Sequence, residues 1–121
     1  MKKSVSVLLT LALLISTLSL HAADDLSQAR KLYNVLCVQC HGVEGDGYGI
    51  NVADMEVLPR DHTDTEEMST RTDEDLFKVI KHGGKAIDKS VLMPNWDGNL
   101  SDQQIEMLVK LLRDLCCSEQ E

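Results

Sequence analysis

The residues with the most pronounced chemistry stand together in Cys37-Val38-Gln39-Cys40-His41. Two thiols three positions apart can add to two vinyl groups on neighbouring edges of one porphyrin, and the adjacent imidazole can reach its iron from one side. Cys-x-x-Cys-His is the spacing of covalent c-type haem attachment. Thioether bonds would consume both thiols and remove them from any disulfide count. Two other chemistries use Cys-x-x-Cys. A thioredoxin-like pair follows a strand and opens a helix, whereas here a helical pattern precedes the pair and a glycine-rich loop follows it. A zinc site needs a second ligand pair at suitable spacing, and the remaining cysteines, Cys116 and Cys117, are adjacent.

A haem iron held by one histidine has a further axial position. Met93, in the loop Ser90-Val91-Leu92-Met93-Pro94-Asn95-Trp96, is the candidate for it. A neutral thioether is a soft donor and a poor base, and His/Met ligation raises the reduction potential, as suits a one-electron carrier. The rivals are Met55, Met68, Met107, His62 and His82. Met107 falls on a helical stripe and reads as packing, while Met55 and Met68 lie in an acidic loop. His62, the foremost rival, or His82 would give bis-histidine ligation and a lower potential.

Three helices are predicted to position these residues. The first spans about Asp25 to Gln39, with Leu26, Ala29, Leu32, Tyr33 and Leu36 at helical spacing and acidic residues at its positive end. It carries both thiols at its C-terminal end. The second spans about Asp73 to His82, with Thr72 as cap, an acidic first turn and Gly83-Gly84 as stop. The third spans about Asp102 to Leu115, where Ser101 and Gln104 form a capping-box pattern before the stripe Ile105, Leu108, Val109, Leu112 and Leu115. No segment reads as a strand. The run Gly42 to Gly49 holds four glycines, placed where the backbone turns tightly or lies against something bulky such as a haem face.

The chain has 121 residues, a net charge of −8 and a 43% apolar share, which points to one domain. Lys2 and Lys3 precede an uncharged, mostly apolar stretch from Val5 to Leu20 that ends at Ala22 and Ala23. This pattern is that of an export signal over 1–23, cleaved after Ala22 or Ala23. Residues 24–121 then form the mature domain, exported to the periplasm and soluble, with no stable membrane insertion. Losing Lys2 and Lys3 makes the mature chain more acidic still. Nucleic acid is excluded as a partner for want of a basic face, whereas a redox protein with a basic docking surface would be attracted. With only Tyr33, Tyr48, Phe77 and Trp96 as aromatics, the side chains offer little bulk for a core this small. A buried porphyrin would supply it.

From about Asp25 to Leu115 the chain resembles the bacterial class I, monohaem cytochrome c family. The features follow in that family's order: Leu32-Tyr33 before Cys37-Val38-Gln39-Cys40-His41, Gly83-Gly84 after a middle helix, then Met93-Pro94-Asn95-Trp96 before Ser101. The resemblance implies an all-α fold of three main helices around one covalent haem c. Cys37 and Cys40 would attach it, with His41 and Met93 as axial ligands. It implies a periplasmic single-electron carrier with no enzymatic activity. It further implies that a proline carbonyl, here that of Pro59, orients His41, and that Arg60 pairs with a propionate unless it is solvated beside Asp61. Trp96 would pack near the haem edge. Two departures are Ala29, where relatives have glycine, and Leu111 or Leu112, where they have an aromatic. Other readings are a haem-based gas sensor or small catalyst with a labile Met93, an electron-transfer subunit of a larger respiratory enzyme, and a haem-free thiol-disulfide protein. Cys116 reads as a buried thiol extending the helical stripe, with an intermolecular disulfide dimer through Cys116 or Cys117 as the alternative. A bridge between the two neighbours is not expected, because it strains the backbone.

Overall fold

The computed structural model describes residues 23–118. Helix α1 covers residues 23–36, followed by α2 (Val38–His41), α3 (Thr65–Ser69), α4 (Asp73–His82) and α5 (Asp102–Cys117), with 3₁₀ segments at Ile50–Asp54 and Gly84–Ile87. Among the described residues extended pairing is limited to an isolated bridge between Asp97 and Leu100. The fold is therefore the small all-α one expected. The export signal and its cleavage point lie outside the described residues, apart from Ala23. Among the described residues no helix is long and apolar enough to cross a membrane.

Helix ends follow the sequence closely where side chains can satisfy orphan amides. The Thr72 hydroxyl accepts from the Asp75 amide and the Asp75 carboxylate accepts from the Thr72 amide, and Ser101 and Gln104 repeat the arrangement on α5. Each pair satisfies two backbone donors that a helix start leaves unpaired. Helix α3, absent from the sequence expectation, has only five residues and one buried side chain, Met68. That is too short for periodicity to register, and its start rests on the Asp64 side chain accepting from the Glu67 amide.

The first helix departs from the expectation of one run to Gln39. It stops at residue 36, Cys37 forms a turn, and α2 begins afresh at Val38. The Cys37 amide still donates to Tyr33 O, and the Cys37 carbonyl takes both the Cys40 and His41 amides. The thiols thus sit on either side of a tightened turn, which Gly49 packs against: a Cβ there would collide with the Gln39 and Val38 carbonyls.

The core lies between α1, α4 and α5. Ala29 and Tyr33 from α1, Leu76 and Ile80 from α4, and Ile105, Leu108, Leu111 and Leu112 from α5 are all buried in one cluster. Ala29, Leu111 and Leu112 belong to the same buried cluster, so both departures from the family pattern fall within the core. Polar ties frame this cluster. Lys110 pairs with Asp25, joining α5 to α1, and Arg113 reaches Asp73 and the carbonyls of Met68 and Arg71.

The C-terminal cysteines correct the sequence reading. Cys116 and Cys117 are bonded to each other, so neither sulfur is left as a buried thiol or for a second chain. Both cysteines lie in the last turn of α5, and the backbone turns extended at Ser118 immediately beyond them. The Cys116 carbonyl is also engaged, accepting from Thr65 Oγ1 at 2.5 Å.

Candidate haem site

A cleft of about 530 Å³ opens between α1, α4, α5 and the long loops, and Cys37, Cys40, His41 and Met93 all line it. Its wall is mostly hydrocarbon, including Leu36, Leu76, Val79, Ile80, Leu108 and Leu112. The volume falls in the range of pockets that enclose most of a cofactor-sized ligand. His41 and Met93, 52 positions apart in sequence, line the same cavity once α4 and α5 have packed.

Cys37 and Cys40 are free thiols. Burial, with a smaller contribution from Cys40, pushes the Cys37 thiol up to about 12. A thiol-disulfide centre needs the opposite, a pKa lowered to make thiolate, so this environment argues against the haem-free redox reading.

His41 is oriented by a hydrogen bond from Nδ1 to the Arg60 carbonyl at 3.1 Å. A carbonyl only accepts, so Nδ1 carries the proton and Nε2 keeps its lone pair. Burial holds the His41 pKa below the usual value, and the Arg60 hydrogen bond opposes this only in part. The ring is therefore a neutral, aimed nitrogen donor. The orienting carbonyl is not that of Pro59, as expected, but the next one along. The Pro59 carbonyl is taken up against Gly47, where a Cβ would lie 2.7 Å from it. The Arg60 guanidinium pairs with Glu67 at the half-exposed surface.

Met93 is partly buried in a turn whose amide donates to Ser90 O, while its carbonyl accepts from the Gly84 amide at 3.0 Å. Gly83-Gly84 therefore does more than stop α4, because it forms the floor on which the Met93 loop rests. A Cβ at Gly84 would meet the Ser90 carbonyl and approach the Met93 Cβ to 3.1 Å. Gly84→Ala should cost about 1–3 kcal/mol as overpacking, lowering the thermal midpoint by roughly 4–8 °C per kcal/mol. An unchanged melting curve would show that the loop does not need this approach.

The rivals separate by position. Met55, Met68 and His62 line the cleft, whereas Met107 and His82 do not. Met107 is buried on α5 and His82 is exposed at the end of α4. Trp96 lines the cleft, as expected of a residue near a haem edge. His62 is buried with its ring stacked on His41, centroids 4.3 Å apart and planes 18° from parallel. Sequence reasoning weighed it only as an iron ligand. The sequence carries no signal for this second role, because the stacking exists only once the segment holding Arg60 and His62 has folded against His41.

Two thiols, an aimed neutral imidazole, a thioether and an apolar wall in one cleft fit a haem. The family model described as "Cytochrome C oxidase, cbb3-type, subunit III" matches residues 24–112. Among solved structures the chain is similar to the c-type cytochrome KustC0563, at 24% identity and a TM-score of 0.58, over 73% of this chain and 96% of that one. It is also similar to a chain of the Kuenenia stuttgartiensis reducing HAO-like protein complex Kustc0457/Kustc0458, at 27% identity and a TM-score of 0.59. That match covers 74% of this chain and spans 41% of the other. A comparison with curated proteins gives no match. With the family model matching most of the chain and the fold shared with c-type cytochromes, the protein is a haem-binding, electron-transferring member of the class I-like cytochrome c family.

Proposed function

We propose that the protein is a periplasmic single-electron carrier with one haem c bonded to Cys37 and Cys40 and ligated by His41 and Met93. The observation that carries this reading is the convergence of two free thiols, the unprotonated Nε2 of His41 and the Met93 loop on one apolar cleft. Bound there, the haem supplies a one-electron couple at its iron. The chain's own residues do the rest. Arg60 O holds the His41 tautomer, which strengthens the imidazole as a donor, and Gly84 and Ser90 hold the loop that presents Met93. The stacking of His62 on His41 places it beside the proximal ligand, which disfavours it as a second ligand and supports Met93. Export rests on the signal pattern over 1–23.

Val57, Leu58 and Leu92 line the cleft yet remain more than half exposed. They form an apolar rim through which a redox partner could approach the cofactor's edge, with the chain's acidic charge favouring a basic surface. Likeness to a chain of a multi-protein complex supports a second setting, docking within a larger redox assembly.

The exported protein should show visible absorption that sharpens on reduction, a weak near-infrared methionine-to-iron band when oxidised, and colour that stays with the polypeptide in acidic organic solvent. Replacing Cys37 and Cys40 together by alanine should abolish the retained colour. Pigment extracted freely from the unaltered protein, or no visible absorption, would overturn the proposal.

A further inference from the structure

His41 is fixed along its length by one hydrogen bond to Arg60 O, and such a bond tolerates a wide range of ring rotation before it weakens. The plane of the imidazole therefore needs a second restraint. His62 provides a flat surface against it, with ring centroids 4.3 Å apart and planes 18° from parallel. His62 is itself held on two sides. Its amide donates to Gly45 O at 2.6 Å and its Nδ1 shares a hydrogen bond with the Tyr33 hydroxyl at 3.3 Å. Tyr33 is among the most completely buried side chains of the core, and its ring meets that of His62 edge-on at 6.1 Å. The restraint on His41 thus runs back into α1, the same helix that ends at the Cys37 turn.

We propose that His62 is a positioning residue that sets the plane of the His41 ring, with the Tyr33 hydroxyl and Gly45 carbonyl holding His62 in place. The proposal rests on His41 being the iron ligand, as in the reading above. An imidazole plane matters electronically because it selects which iron d-orbital overlaps the ligand π system. It therefore shows in the oxidised, low-spin spectrum without any change in ligand identity.

The test uses the haem-loaded, exported protein and three variants. His62→Ala removes the stacked surface, His62→Phe keeps a flat ring without the hydrogen bond, and Tyr33→Phe removes only the hydroxyl that anchors His62. The measurements are the electron paramagnetic resonance g-values and the hyperfine-shifted haem methyl proton resonances of the oxidised form. His62→Ala should change the order or spread of the methyl resonances and shift the g-values. His62→Phe should return both most of the way to those of the unaltered protein, and Tyr33→Phe should produce a smaller change in the same direction as His62→Ala. If His62→Ala loads haem and leaves both spectra unchanged, the proposal fails. Should that variant fail to load, unchanged spectra in Tyr33→Phe together with altered ones in His62→Phe would equally overturn it. Failure of the underlying reading looks different: the unaltered protein would itself lack a low-spin, histidine-ligated spectrum.

Discussion

Met93→Ala should lower the reduction potential by on the order of 0.1 V or more, a modest share of the ~0.8 V over which axial ligands set haem potentials. The direction follows from ligand chemistry. A thioether stabilises the electron-rich reduced iron relative to the oxidised one, so its loss favours oxidation. The same substitution should remove the near-infrared methionine band and let small ligands such as imidazole or cyanide bind readily. Little structural damage should accompany these changes, since Met93 is held by its backbone, through Gly84 and Ser90, and its side chain is only partly buried. Potentiometry and ligand titration on the haem-loaded variant check the result. An unchanged potential with no new ligand binding would assign the axial position to another residue, and Met55, which also lines the cleft, would be tested next.

A chain that has not acquired haem should fail to hold the native fold. Without haem, the mostly apolar wall of a cleft of about 530 Å³ stays in contact with water, at about 25 cal/mol for each Å² of apolar surface the cofactor would otherwise cover. A domain is held together by only about 5–15 kcal/mol, so leaving this wall wet weakens the fold. The affected residues are central ones: Leu76, Ile80, Leu108 and Leu112 belong to the core cluster and also face the cleft. The Cys37→Ala, Cys40→Ala protein, produced without retained haem, should show reduced helicity by circular dichroism and a broad, weakly cooperative thermal transition. A sharp transition with full helical content would contradict the idea that the cofactor completes the core.

The small aromatic inventory that suggested a missing buried mass is matched by the cleft, and both middle and last helices begin where their caps place them. These features were legible because they are local. Thr72 with Asp75 and Ser101 with Gln104 act within four residues of one another, and a 3.6-residue apolar period needs only one helix to be seen. The Cys-x-x-Cys-His motif was legible for the same reason, since it occupies five consecutive residues.

The rest depended on contacts between residues far apart in the chain. No property of Pro59 or Arg60 alone says which carbonyl reaches His41. Only the folding of the segment around Arg60 against His41 brings the Arg60 carbonyl to Nδ1. Nor does the sequence separate His62 as a rival iron ligand from His62 as the surface against which His41 rests, because the distinction lies in an 18° angle between two rings 21 residues apart. The union of Cys116 with Cys117, against expectation, likewise appears only in the structure. Short stretches were enough for the haem class and for the middle and last helices, because covalent spacing and helical period are local properties. Which carbonyl orients His41, what lies against its ring and what the Met93 loop rests on emerged only with the tertiary structure, because each is a contact between segments far apart in the chain.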